Sequence, residues 1–191
     1  EEIFVPELVG QNTLCPHQDY VYFNYPTEEE KQEILKFKER SKATYDRLMG
    51  DAEFAEAIRN HKGLCGMISD DILLEDPNYF ASILIFLQAK NIPFPDRLKR
   101  LLGARRLPEM KESWMELLLQ GFLYNDTEGY SCDEEYRKNL ISYLKAQGLI
   151  EKKKISFTTT PFLEKLLTTS KGKSESIKAI VNSVLELAIA L

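Results

Sequence analysis

The stretch from Ser131 to Leu167, SCDEEYRKNLISYLKAQGLIEKKKISFTTTPFLEKLL, constrains this chain more than any other. Ser131 followed three residues later by Glu134 has the form of a capping box, in which hydroxyl and carboxylate satisfy backbone N–H groups that no intrahelical carbonyl reaches. Beyond it, Tyr136, Leu140, Ile141, Tyr143 and Leu144 recur at spacings of three and four, which predicts an apolar stripe with Arg137, Lys138, Asn139 and Lys145 facing outward. Gly148 supplies the left-handed conformation that ends a helix without a Cβ penalty. Leu149 and Ile150 then return to the core, Glu151 to Lys154 form a charged ribbon tip, and Ile155 and Phe157 alternate with Ser156 as in a half-buried strand. Pro161 suits the first position of a further helix carrying Phe162, Leu163, Leu166 and Leu167.

This order of helix, glycine stop, tight ribbon and helix resembles a winged helix, over residues 131–167 only. The resemblance implies a module that docks DNA, RNA or protein, because one fold serves all three. In many winged helices the wing touches the backbone or minor groove while the second major helix enters the major groove, and by resemblance that helix is Asp133 to Gln147. Its first turn carries Asp133, Glu134 and Glu135, which suit the helix dipole but repel phosphate. A helix, a hairpin and a helix with no special role is the plain alternative.

The remainder reads as helical. Ile3 to Val9 and Tyr20 to Tyr25 look extended and pair as a small N-terminal sheet. Thr27 and Glu30 repeat the capping-box form and start a helix to about Met49, with Gly50 as its stop. Asp51 opens a helix with Phe54, Ala55 and Ile58, and Gly63 and Gly66 bracket a break before Met67 to Leu74. Asp76 and Pro77 are an N-cap and first-turn pair for a helix through Phe80, Ile83, Leu84 and Leu87, ended by Pro93 and Pro95. Asp96 caps a short basic helix to Leu102, and Pro108 starts one through Trp114, Leu117 and Leu118 that stops at Gly121. Residues 122–130 read as a polar turn, 170–176 as a Lys/Gly/Ser linker, and 177–191 as a helix apolar on most sides, which must pack against this chain or another. The expected fold is mainly α (α+β): a helical domain over 1–121 with short N-terminal β segments, and a winged-helix-like region with a C-terminal helix over 122–191.

Composition bounds the function. The 43% apolar and 29% charged content is that of a globular chain, and no apolar run reaches membrane-spanning length. The chain opens on Glu1 and Glu2 where a signal peptide would have a basic region, and the missing initiator methionine points to a fragment or processed chain. Cys15, Cys65 and Cys132 make no disulfide framework, which favours an intracellular, cytoplasmic or nuclear, location. Residues 1–76 hold 17 acidic and 8 basic side chains, net −9, and residues 77–191 hold 13 and 17, net +4. The mildly basic C-terminal part is compatible with phosphate binding, though ordinary solvated surface explains it equally well.

Several constellations of side chains bear on chemistry. Cys15, His17, His61 and Cys65 supply the donors of a tetrahedral zinc site, but neither pair has a knuckle spacing, so isolated side chains are the expectation. Asp96 with Glu109 and Lys111 superficially resembles the PD-(D/E)xK nuclease signature, yet both halves fall at helix starts where that chemistry needs adjoining core strands. With two histidines and no glycine-rich phosphate loop, catalysis is disfavoured and no cofactor or metal is expected. Arg97, Lys99, Arg100, Arg105, Arg106 and Lys111 cluster within fifteen positions, and Lys152, Lys153 and Lys154 crowd the ribbon tip. The expected function is non-catalytic DNA binding within a larger protein. Lys152, Lys153, Lys154, Arg105 and Arg106 would contact phosphates, with Arg137 and Lys138 nearby. The alternative is a helical assembly module, with no membrane contact, whose acidic helix 27–49 and apolar C-terminal helix meet partner proteins or a second copy.

Overall fold

The computed structural model of the protein describes residues 27–158, which contain seven α-helices and one two-stranded ribbon. The expected N-terminal strands, the helix from Pro161, the linker and the C-terminal helix lie outside the described residues. Helix α1 spans Glu28–Gly50, α2 Ala52–Arg59, α3 Asp70–Leu73, α4 Pro77–Ala89, α5 Asp96–Leu101, α6 Glu112–Gln120 and α7 Glu134–Ala146. Strands β1 (Ile150–Glu151) and β2 (Lys154–Ile155) pair antiparallel, Ile150 opposite Ile155 and Glu151 opposite Lys154.

Helix α4 is the centre. Residues Ser82 to Leu87 are buried without interruption, as expected of a helix covered on all sides. Asp76 caps it by accepting from the Tyr79 N–H at 3.0 Å, and Pro77 occupies the first turn, where its missing N–H costs nothing. Around α4 the aromatic rings meet edge to face: Phe54 of α2 lies 5.3 Å from Phe86 and 5.2 Å from Phe122.

Helix α1 holds to this core by a narrow stripe, Phe37, Ser41, Thr44 and Leu48, spaced three and four apart. Two of the four are hydroxyls, which must find partners once buried. Ser41 Oγ donates to the Phe157 carbonyl at 2.8 Å, and Thr44 Oγ1 lies 3.4 Å from the Tyr143 hydroxyl. Asp51 then serves two elements: Oδ1 caps α2 through the Glu53 and Phe54 N–H groups, and Oδ2 accepts from the Tyr136 hydroxyl of α7 at 2.8 Å.

Four boundaries differ from the sequence expectation. Asp96 is the first residue of α5, whose cap position is Pro95. Pro108 starts no helix: residues 108–111 form no regular element, with Leu107 buried and the Met110 carbonyl accepting from the Tyr45 hydroxyl, and α6 begins at Glu112. Gly121 stops nothing. Its backbone stays helical (φ −63°, ψ −54°) and winding continues as a π-helical turn over Gly121–Asn125, then a 3₁₀ turn over Thr127–Gly129. The supposed polar turn is therefore wound and largely inside, with Phe122, Leu123 and Tyr130 buried. The cap of α7 is Asp133, not Ser131; its carboxylate accepts from the Glu135 N–H at 3.0 Å. At the other end of α7, Gly148 has φ +74°, as the glycine stop requires.

Candidate functional site

Two places in the described residues concentrate polar chemistry. One is the ribbon. Its two-residue loop, Lys152 and Lys153, has φ of +48° and +66°, the pattern of a type I′ turn, which normally takes Asn-Gly because both central residues must be left-handed. Lysine bears a Cβ penalty there of roughly 1 kcal/mol per residue. The conformation is held from α6. Gln120 donates through Nε2 to the Lys153 carbonyl at 3.1 Å and accepts through Oε1 from the Ile155 N–H at 3.3 Å. Glu116 Oε1 accepts from the Phe157 and Thr158 N–H groups and from the Ser156 hydroxyl. Ile155 and Phe157 are buried, while Glu151 to Lys154 are exposed. The alternation read from the sequence is what α6 grips.

The other residues expected to meet phosphate are dispersed in role. Arg105 and Arg106 are exposed in the loop between α5 and α6. Among the described residues no ion pair engages them or the three ribbon lysines. Lys138 is exposed but paired with Glu134 at 3.1 Å. Arg137 faces inward, against expectation: Nη2 donates to the Thr127 carbonyl at 3.1 Å, its guanidinium lies 5.2 Å from the Phe122 ring centroid, and Nε is buried. It fastens α7 to the 3₁₀ turn. Asp96 opens α5 and Glu109 to Lys111 lie in the irregular lead to α6, so neither half of the nuclease-like pattern sits on a strand.

The second place joins His61, Tyr79, Asp126 and Tyr130, which no motif or spacing groups. Asp126 follows the π-helical turn, and Gly121 opens that turn because a Cβ there would overlap the Tyr79 ring. Tyr79 therefore lies across the helix and donates from its hydroxyl to Asp126 Oδ2 at 3.1 Å. That uses its one proton, so Tyr130, 2.5 Å away, donates to the Tyr79 oxygen. His61, 1% exposed, has both ring nitrogens engaged. Nδ1 accepts from the Gly63 N–H at 3.1 Å, which leaves the ring proton on Nε2, 2.8 Å from Asp126 Oδ2. Burial lowers the His61 pKa, against the opposing pull of Asp126, and burial raises those of Tyr79 and Tyr130. All three partners are thus neutral near pH 7. The arrangement positions loops: the Lys62 N–H also bonds the Gly129 carbonyl at 2.9 Å.

His61 being so committed, it offers no free nitrogen to a tetrahedral zinc set with Cys65, which is exposed; Cys15 and His17 lie outside the described residues. No group of three metal-ligating side chains occurs among the described residues, and no described helix is long and apolar enough to cross a membrane. No family model, curated protein or solved structure matches the chain.

Proposed function

We propose that the protein is a non-catalytic DNA-binding module that meets the phosphate backbone with the ribbon lysines Lys152, Lys153 and Lys154, assisted by Arg105 and Arg106. The observation that carries this reading is the turn itself. Two adjacent lysines hold a backbone conformation that disfavours them, braced from α6 by Gln120 and Glu116, with their charges unpaired by any described residue. A local strain kept where Asn-Gly would remove it suggests that the side chains are wanted. Arg137 drops out of the contact set, its guanidinium being held by the Thr127 carbonyl, while Lys138, exposed in a surface pair with Glu134, stays near it.

Five phosphate contacts would give binding that weakens with salt at a log–log slope of about −4.5. Anisotropy titration of a short labelled duplex with the full chain, between about 50 and 200 mM salt, measures this. Replacing the three lysines by glutamine should flatten the slope by about 3, uniformly across duplex sequences. No binding at the lowest salt, or unchanged binding by the triple variant, overturns the reading.

A further inference from the structure

Asp126 is 31% exposed, and its exposed side faces a cavity of about 290 Å³ bounded by α3, α4, α6 and the π-helical turn. The walls are apolar, with Ile68, Ile72, Leu73 and Leu117 among them, and Glu75 and Asp76 add carboxylates. No lysine or arginine lines it. The donors on Asp126 are a neutral imidazole, a tyrosine hydroxyl and the Gly129 N–H, so its charge has partners but no counter-charge. A half-buried carboxylate held by neutral dipoles keeps a negative field in the cavity.

The mouth of this cavity is also where large apolar side chains reach solvent. Ile72 (55% exposed) and Leu117 (38%) line it, and Met67 (75%) and Leu74 (44%) adjoin lining residues in sequence. Only Leu35 is comparably exposed elsewhere among the described residues. The volume sits at the lower edge of the roughly 300–1,000 Å³ of small-molecule pockets and suits one long side chain. π-Helical turns recur at functional sites because they re-aim the residues that follow, here Asp126.

From these features we infer that the cavity is a docking socket for a partner protein, taking one arginine or lysine side chain against Asp126 while apolar neighbours of that side chain cover Ile72 and Leu117. The choice of occupant rests on charge complementarity, three carboxylates beside a neutral imidazole and no lysine or arginine, and on the apolar rim, which a free amine would leave uncovered. Polyanionic DNA is repelled at this place, so the socket is independent of the ribbon.

The test uses the full chain with ¹⁵N-labelled glycine. The Gly63 and Gly129 amides, which donate to His61 and Asp126, report on the socket. Probes are a capped leucine-arginine-leucine tripeptide, the same peptide with glutamine at its centre, and 4-methylpentylamine. The arginine peptide should shift both amides saturably, and the glutamine peptide and the amine should bind at least tenfold more weakly. Asp126→Asn should lose that preference. Should Asp126→Asn not fold, Ile72→Ser, altering an exposed side chain, should weaken the arginine peptide severalfold in an intact fold. Absence of shifts at millimolar peptide, equal binding of the glutamine peptide, or amine binding as tight as the peptide's overturns the proposal.

Discussion

The ribbon and the His61 network handle charge in opposite ways. In the network a carboxylate takes three protein donors, two of which, Tyr79 and His61, lie 47 and 65 residues away in sequence. At the ribbon, three ammonium groups stand in solvent with no described partner, and only the backbone beneath them is held. The contrast follows from burial. A polar group taken out of water without a partner costs about 1–3 kcal/mol, so the interior favours completed sets, with Arg137 Nε the exception among the described residues, whereas an exposed ammonium is satisfied by water and remains available to a ligand. Stability therefore concentrates in the first region and availability in the second.

The largest effect expected is at Gly121. Gly121→Ala places a methyl group inside the Tyr79 ring and should cost about 3 kcal/mol or more by urea unfolding. Combining it with Tyr79→Ala should cost less than the sum of the two single losses. An alanine variant as stable as the parent would mean that the ring does not lie across the π-helical turn. Next is Asp126→Ala, which strands three donors and should cost about 2–3 kcal/mol. A loss no larger than that of Lys138→Ala, an exposed pair member, would erase the distinction drawn between the two regions.

A smaller effect is carried by pH. Because the folded pKa of His61 is depressed, the unfolded chain takes up a proton first as acidity rises. The His61 contribution is therefore complete above about pH 6.5 and is lost as pH falls below it. Urea midpoints should decline from pH 7 toward 5 more steeply in the parent than in His61→Gln. Identical slopes would show that the imidazole is not held neutral. The smallest effect has the opposite sign. Lys152→Asn with Lys153→Gly should stabilise the fold by about 1 kcal/mol, since both replacements accept the left-handed backbone, while weakening duplex binding. A destabilised variant would mean that the lysines fit the turn better than their backbone angles indicate.

Much of the helical framework was legible. The Asp76–Pro77 start, the Asp51 start and the Gly148 stop all appear where read, because caps and glycine stops act within one turn of chain. The lysine tip between Ile150 and Ile155 was legible for the same reason, as a strand's alternation spans only a few residues. Gly121 misled, since a glycine after an apolar periodic segment signals a stop unless another side chain needs the space of its missing Cβ, and Tyr79 lies 42 positions earlier. Arg137 misled similarly. On a helical wheel it faces outward, but the 3₁₀ turn folds over that side and supplies a carbonyl. For the network the sequence offers one residue of note, His61, and nothing to join it to Asp126.

Taken alone, the sequence determined where α1, α2 and α4 begin, which faces are apolar, where the ribbon turns and which basic groups it carries, because these depend on neighbours within three or four positions or on strict alternation. Only the tertiary structure decided that winding continues past Gly121, that Arg137 turns inward and that a buried imidazole, two phenols and a carboxylate share one set of protons. Those outcomes depend on which distant surfaces meet, and close packing rather than local periodicity selects them.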